Sequence, residues 1–111
     1  MVNISSSAAH MGGSPYGDSK LAVAGVTITF ARELAADGIR VNAISPGLIL
    51  TDTIRAELPE ATKARVKAMQ FSAADGEERH IVDAMLFLTS SKAEFITAEV
   101  LRVTGGMAAG V

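Results

Sequence analysis

The 111-residue sequence contains no cysteine and only two histidines, His10 and His80. Without thiols the chain cannot build a disulfide framework, a thiolate zinc site, an iron–sulfur cluster or a cysteine nucleophile. Two histidines so far apart in the sequence do not by themselves make a histidine-rich metal site. We expect His10 to be a solvated loop residue, with a substrate contact as the alternative, since it follows a run of serines.

An excess of charge of one sign and a long hydrophobic run are also missing. The formal net charge is −2, with both signs spread along the chain, so no basic face favours nucleic acid or anionic lipid. Polar and charged residues interrupt the longest helical candidate, residues 21–36, which argues against a membrane span. No signal-peptide pattern opens the sequence. These features predict a cytoplasmic protein with no nucleic-acid and no membrane partner.

Apolar residues, by contrast, are abundant. They make up 49% of the chain, charged residues make up 20%, and the mean hydropathy is +0.31. This composition is too apolar and too weakly charged for a disordered chain. We therefore predict that residues 1–111 form one compact unit.

The hydrophobic pattern indicates alternating strands and helices. Residues 1–5 and 39–45 have the apolar content of buried strands, and a long helix between them starts near Tyr16, after the capping pair Ser14 and Pro15. A strand, a helix and a strand joined by short turns form a right-handed βαβ unit with parallel strands. Further along, residues 48–58 show no clear period, helices are expected at 59–69 and after residues 75–78, and a last strand at 99–103. The predicted fold class is α/β, with about three parallel strands and flanking helices.

Tyr16 and Lys20 are the first candidates for chemistry. They are four residues apart on the predicted helix, so their side chains share one face. A cation beside a phenol favours the phenolate, which makes a tyrosine usable as an acid/base toward an alcohol or a carbonyl. A hydroxyl of Ser5, Ser6 or Ser7, at the end of the first predicted strand, could bind the same oxygen. Taken alone, such a pair also occurs by chance on helix surfaces.

Three motifs in order give this pair a context. A serine-ended strand at 2–6 is followed by the Tyr-x-x-x-Lys pair, and then by Asn42-x-x-x-Pro46-Gly47 and Thr51. This combination resembles the short-chain dehydrogenase/reductase family, especially its 3-oxoacyl-carrier-protein-reductase-like members. The likeness runs over essentially the whole chain and extends to the ending Val103-Thr-Gly-Gly106. It implies the C-terminal half of a Rossmann-like doubly wound parallel sheet.

The resemblance implies roles for individual residues. Tyr16 matches the acid/base that passes a proton to the carbonyl oxygen, Lys20 the residue that supports it and binds the nicotinamide ribose, and Ser6 the serine that orients the substrate. Cofactor contacts are implied for six residues: Tyr16, Lys20, Pro46, Gly47, Ile49 and Thr51. The implied cofactor is NADP or NAD, and the implied reaction interconverts an alcohol and a ketone of a small molecule. The helix at 16–36 and the C-terminal segment are implied to join copies of the chain into a homo-oligomer.

The sequence also departs from the family pattern. The interval from Ser6 to Tyr16 is a few residues shorter than usual, which leaves open whether Ser5, Ser6 or Ser7 faces the site. Ala98 stands where a glycine is common. The Gly-rich turn that binds the dinucleotide phosphates is not present in the 111 residues. Two hypotheses follow: an oxidoreductase, or a non-catalytic, oligomer-forming remnant that cannot hold a dinucleotide alone.

Overall fold

The computed structural model of the protein describes residues 1–110, which form an open parallel sheet with flanking helices. The strands are β1 (Val2–Ile4), β2 (Asn42–Pro46) and β3 (Val100–Val103), and β2 lies in the middle. Val2 pairs with Asn42, and Ala43 with Val100, both in parallel register. Because the three strands point the same way, the segments that follow them meet along one edge. The α/β fold with three parallel strands is confirmed.

Five α-helices accompany the sheet: α1 (Ala8–Met11), α2 (Pro15–Glu33), α3 (Asp52–Glu57), α4 (Glu60–Met69) and α5 (Glu78–Thr89). The predicted cap of α2 is present, because Ser14 Oγ accepts a hydrogen bond of 3.0 Å from the backbone N–H of Gly17. After α2 a short 3₁₀ turn, Ala35–Asp37, ends at Gly38, whose φ of +71° suits a glycine.

Two short helices and the start of one strand differ from the sequence-based prediction. Helices α1 and α3 lie in segments that were expected to be loop or without clear period, since one or two helical turns do not establish a 3.6-residue repeat. The second strand begins at Asn42 rather than at residue 39. Its N-terminal part leaves the ladder because the hydroxyl oxygen of Thr97 accepts a 3.1 Å hydrogen bond from the Val41 N–H.

The core is centred on β2. Ala43 and Ile44 are completely buried, as is expected for the middle strand of a parallel sheet, and so is Val41 directly before it. Asn42 is buried as well, and both its amide nitrogen and its amide oxygen are hydrogen-bonded. Its Nδ2 donates to the Ile96 carbonyl (3.0 Å) and its Oδ1 accepts from the Glu99 N–H (3.1 Å). This asparagine therefore links β2 to the loop that leads into β3.

The apolar side of α2 remains open in the single chain. Leu21, Val26 and Ile28 are 54%, 45% and 46% exposed, and the buried residues of the helix are only Gly17, Thr27 and Ala31. The wide apolar face that the sequence shows is thus not buried in the core of these 110 residues. No helix in the described part of the chain is long and apolar enough to cross a membrane.

Candidate active site

Tyr16 and Lys20 lie together in the first turns of α2. Lys20 Nζ is 5.7 Å from the centroid of the Tyr16 ring, within the distance of a cation–π contact. Tyr16 is 58% exposed at the carboxyl edge of the sheet, so the residue is accessible to a ligand. The predicted neighbourhood of the two side chains is present in the structure.

The end of β1 is attached to the same helix. Ser5 Oγ donates a hydrogen bond of 2.8 Å to the Lys20 carbonyl, and Lys20 Nζ donates a longer one, 3.4 Å, to the Ile4 carbonyl. These two contacts hold the lysine backbone and its ammonium group against the serine-bearing strand end. The spacing of Tyr16 and Lys20 from the sheet is therefore fixed by side-chain and main-chain contacts together.

The three serines differ in their surroundings. Ser5 is buried, and its hydroxyl donates its hydrogen bond to the main-chain carbonyl of Lys20. Ser7 is buried at the end of β2, where its backbone N–H donates to the Pro46 carbonyl at 2.8 Å. Ser6 is half-buried, and its Oγ accepts a 3.2 Å hydrogen bond from the Ala8 N–H. An acceptor role leaves the Ser6 hydroxyl proton available for donation to a ligand.

The segment after β2 passes very close to the turn after β3. The Gly47 N–H donates to the Val103 carbonyl at 2.9 Å, and a Cβ at position 47 would be only 2.8 Å from the Thr104 Cα. Only glycine fits at this distance. Pro46 and Gly47 thus bring the ends of β2 and β3 together.

Ile49 and Thr51 are held by two different neighbouring segments. Ile49 forms a parallel bridge with Gly76, and the Leu50 N–H donates to the Gly76 carbonyl at 2.8 Å. Thr51 caps α3, because its Oγ1 accepts a 3.2 Å hydrogen bond from the Ile54 N–H. These hydrogen bonds and the bridge consequently hold the loop from 46 to 51 in place across the carboxyl edge of the sheet.

His10 is exposed, as expected, but it lies in the short helix α1 rather than in a loop. Its Nε2 is hydrogen-bonded to the buried Ser45 Oγ at 3.1 Å. Partial burial, and secondarily the charge of Arg102, lower the pKa of His10 below its ordinary value of 6.5. His10 and Ser45 are 35 residues apart, so no local pattern could have revealed the contact. Among residues 1–110, no cluster of three or more histidine, aspartate and glutamate side chains could hold a metal ion.

Comparison with known proteins places this geometry in a family. The family model described as enoyl-(acyl carrier protein) reductase matches residues 1–108. The chain is 45% identical, over 93 residues, to the 3α-hydroxysteroid dehydrogenase of Mediterraneibacter gnavus, covering 84% of this chain and 37% of that protein. It is 39% identical, over 113 aligned positions, to the 3-oxoacyl-[acyl-carrier-protein] reductase of Vibrio cholerae, covering 96% of this chain and 45% of that protein. The chain thus spans less than half the length of these relatives.

Solved structures have the same arrangement of strands and helices. A short-chain type dehydrogenase/reductase from Mycobacterium ulcerans superposes with a TM-score of 0.90 at 34% identity, over 96% of this chain and 40% of that one. A 4-hydroxyisoleucine dehydrogenase complexed with NADH and succinate gives 0.83 at 34% identity, over 98% and 46%. Sequence and structure therefore agree that the chain belongs to the short-chain dehydrogenase/reductase family and is similar to its 3-oxoacyl-carrier-protein-reductase-like members.

Proposed function

We propose that this chain carries the catalytic residues of an NAD(P)-dependent oxidoreductase that interconverts an alcohol and a ketone of a small molecule. The observation that supports this most directly is the Tyr16–Lys20 pair at the carboxyl edge of the sheet, with the ammonium 5.7 Å from the ring centroid. The printed names of the relatives, a hydroxysteroid dehydrogenase and 3-oxoacyl reductases, agree with such chemistry.

In this proposal Tyr16 is the acid/base. Its exposed hydroxyl gives a proton to the carbonyl oxygen in reduction and takes it back in oxidation. Lys20 stabilises the phenolate that remains after proton transfer, because a cation close to the ring favours negative charge there. Ser6 donates its free hydroxyl proton to the same substrate oxygen and so fixes its position.

A nicotinamide dinucleotide would supply or accept the hydride when bound. Structures similar to this chain have been solved with NADH and with NADPH. The residues proposed to hold its nicotinamide end are Tyr16, Lys20, Pro46, Gly47, Ile49 and Thr51. They fit this role because they follow parallel strands or begin α2 at one edge of the sheet, where the loop from 46 to 51 is already fixed by backbone contacts.

Two further proposals concern the surroundings of the enzyme. The exposed apolar side of α2, with Leu21, Val26 and Ile28, supports association with further copies of the chain, as the family resemblance implies. A cytoplasmic site of action is proposed on the composition of the chain. The test for association is the mass of the purified chain by sedimentation, where a monomer at all concentrations would contradict it.

The test of the function is a titration of the purified 111-residue chain with NADH and with NADPH, followed by turnover of a ketone. Micromolar, saturable binding supports the proposal, and a folded chain that binds neither dinucleotide supports the remnant hypothesis instead. Tyr16→Phe should abolish turnover while leaving dinucleotide binding largely intact. Phe95→Leu, which changes a fully exposed aromatic residue outside the site, serves as the control and should leave both unchanged. Unchanged turnover in Tyr16→Phe would remove this residue from the mechanism.

A further inference from the structure

Gly17, the residue directly after Tyr16, is buried against a main-chain carbonyl of α1. A Cβ at position 17 would be 2.6 Å from the Ala8 carbonyl oxygen and 3.2 Å from its carbonyl carbon. The first distance is roughly 1 Å shorter than the optimum separation of non-bonded heavy atoms, about 3.5 Å. Both atoms belong to the backbone of α1, so no change of rotamer relieves the contact. The absence of a side chain at Gly17 therefore allows α1 to lie directly against the first turn of α2.

Helix formation does not explain a glycine at this position. Gly17 is the third residue of α2, where alanine favours the helix more than glycine does. Gly25, on the same helix, has nothing within 4 Å of an added Cβ and makes no such contact. The close approach to Ala8 is thus what distinguishes Gly17 from Gly25.

Ala8 connects this contact to the serine that the proposed reaction uses. Its N–H donates the 3.2 Å hydrogen bond to Ser6 Oγ, and its carbonyl group lies against Gly17. The Ala9 N–H adds a 3.0 Å hydrogen bond to the Ser6 carbonyl. A single residue of α1 consequently contacts both the serine hydroxyl and the helical turn that carries Tyr16.

Helix α1 is attached to the central strand as well. The Ser7 N–H, directly before α1, donates to the Pro46 carbonyl at 2.8 Å, and His10 Nε2 is hydrogen-bonded to the buried Ser45 Oγ at 3.1 Å. Because α1 is held by β2 and by α2 together, a side chain at Gly17 must displace α1 or the first turn of α2.

We propose that Gly17 is a positioning residue: having no side chain, it lets the Ala8 backbone contact both Ser6 and the first turn of α2, and so sets the spacing of the Ser6 and Tyr16 hydroxyls. The inference rests on the proposed function, in which both hydroxyls bind one substrate oxygen. A displacement of roughly 1 Å at such a site is sufficient to slow the chemical step about a hundredfold. It does not remove a group that holds the dinucleotide.

Kinetics of Gly17→Ala are the first test. The kcat for a ketone should fall roughly ten- to a hundredfold, while the Kd for the dinucleotide should stay within about twofold. Gly25→Ala is the matched control and should leave both quantities unchanged. Ser45→Ala adds no atom but loosens α1 from β2, and it should lower kcat in the same direction even if Gly17→Ala does not fold. An unchanged kcat in a folded Gly17→Ala, or in Ser45→Ala, would overturn the proposal.

A double-mutant cycle with Ser6→Ala separates positioning from a general loss of structure. If Gly17 acts on the spacing of the two hydroxyls, Gly17→Ala should lower kcat by a smaller factor in the Ser6→Ala background, where one of the hydroxyls is missing. The same factor in both backgrounds would show that Gly17 does not act through Ser6, and would contradict the proposal.

Amide hydrogen exchange tests the contact without any turnover. In Gly17→Ala the N–H groups of Ala8 and His10, whose acceptors lie in the serine segment at 5–7, should exchange faster than in the unchanged chain. The Ala43 N–H, hydrogen-bonded within the sheet to the residue before β3, should keep its rate. Unchanged exchange in α1, or equal acceleration at Ala43, would overturn the proposal in an active and in an inactive chain alike. Failure of the proposed function is distinguishable, because the unchanged chain would then be folded and bind neither dinucleotide, which would remove the catalytic basis of the inference as well.

Discussion

The hydroxyl of Ser5, at the end of β1, donates a 2.8 Å hydrogen bond to the main-chain carbonyl of Lys20 on α2. The serine-bearing strand end and the helix that carries Tyr16 are therefore joined by a buried contact rather than by loop geometry alone. A short connection of nine residues between Ser6 and Tyr16 can still present both side chains at one edge, because this contact fixes their two elements together.

Ser5→Ala should consequently weaken the fold. A buried hydrogen bond of this type contributes about 1 kcal/mol to the free energy of unfolding, and the variant should lose approximately that amount in chemical denaturation. Ser19→Ala is the matched control, because its hydroxyl also donates to a helix carbonyl, that of Tyr16, but on the exposed side. The control should change the free energy of unfolding by less than about 0.5 kcal/mol. Equal losses in the two variants would show that the Ser5 contact contributes no more to the free energy of unfolding than an exposed hydrogen bond does.

Gly47 and Gly25 should respond in opposite directions to the same substitution. Gly47→Ala places a Cβ 2.8 Å from the Thr104 Cα, so the ends of β2 and β3 must move apart, at a cost of about 1–3 kcal/mol. Gly25 is exposed within α2, and nothing lies within 4 Å of an added Cβ there. Gly25→Ala should therefore stabilise the chain by up to about 1 kcal/mol through helix propensity. Thermal or urea denaturation of both variants measures the difference, and a loss of stability in Gly25→Ala would contradict it.

The backbone at Ala98 explains a departure that the sequence alone showed. This residue has a positive φ of +64°, in the left-handed region that glycine adopts at little cost. Ala98→Gly should therefore stabilise the protein, by up to about 1 kcal/mol, because relief of strain exceeds the added flexibility of the unfolded chain. Ala22→Gly, at an exposed position inside α2, should do the reverse by about 1 kcal/mol. The midpoints of unfolding in denaturant are measured for both variants and for the unchanged chain. A lower midpoint for Ala98→Gly than for the unchanged chain would show that the backbone at position 98 is not strained.

Periodicity and turn residues were sufficient to predict the main architecture. The strands predicted at 1–5 and 39–45 overlap β1 and β2 of the structure, and the predicted capping serine at position 14 begins α2. The order of the motifs also predicted that Tyr16 and Lys20 lie on the helix that follows the first strand, which is α2. Local signals succeed here because strands, caps and side chains four apart on a helix depend on near neighbours in the sequence.

Contacts between distant segments were not predictable in the same way. The hydrogen bond between His10 and Ser45 joins residues 35 apart, and the one from the Val41 N–H to the Thr97 hydroxyl oxygen, at the start of β2, joins residues 56 apart. Whether the apolar side of α2 is covered also depends on tertiary and quaternary neighbours rather than on the helix itself. The hydrophobic pattern fixes which face is apolar, and only the assembled chain shows that Leu21 and Ile28 remain exposed.

Lys67 holds the segment that follows α4 through three contacts. Its Nζ donates to the carbonyls of Ala73 and Ala74, at 2.7 and 2.8 Å, and to Asp75 Oδ1 at 2.7 Å. The hydrogen bond from Lys67, and then its charge, hold the pKa of Asp75 below the ordinary value of 3.8. A carboxylate with a depressed folded-state pKa stabilises the fold above its unfolded pKa, and this contribution is lost as the pH falls through the folded value. The contact therefore weakens only on the acid side of pH 3.8.

Lys67→Met should return the pKa of Asp75 toward its ordinary value, as measured by carboxyl ¹³C NMR in an acid titration. Amide hydrogen exchange in residues 73–76 should become faster at neutral pH, because both carbonyl contacts of the ammonium are lost with the charge. Lys63→Met is the matched control on the same helix. Its ammonium binds the Arg55 carbonyl and Glu60 instead, so the pKa of Asp75 should keep its depressed value. A depressed pKa in Lys67→Met, or an equal rise in Lys63→Met, would show that the lysine contact is not the cause.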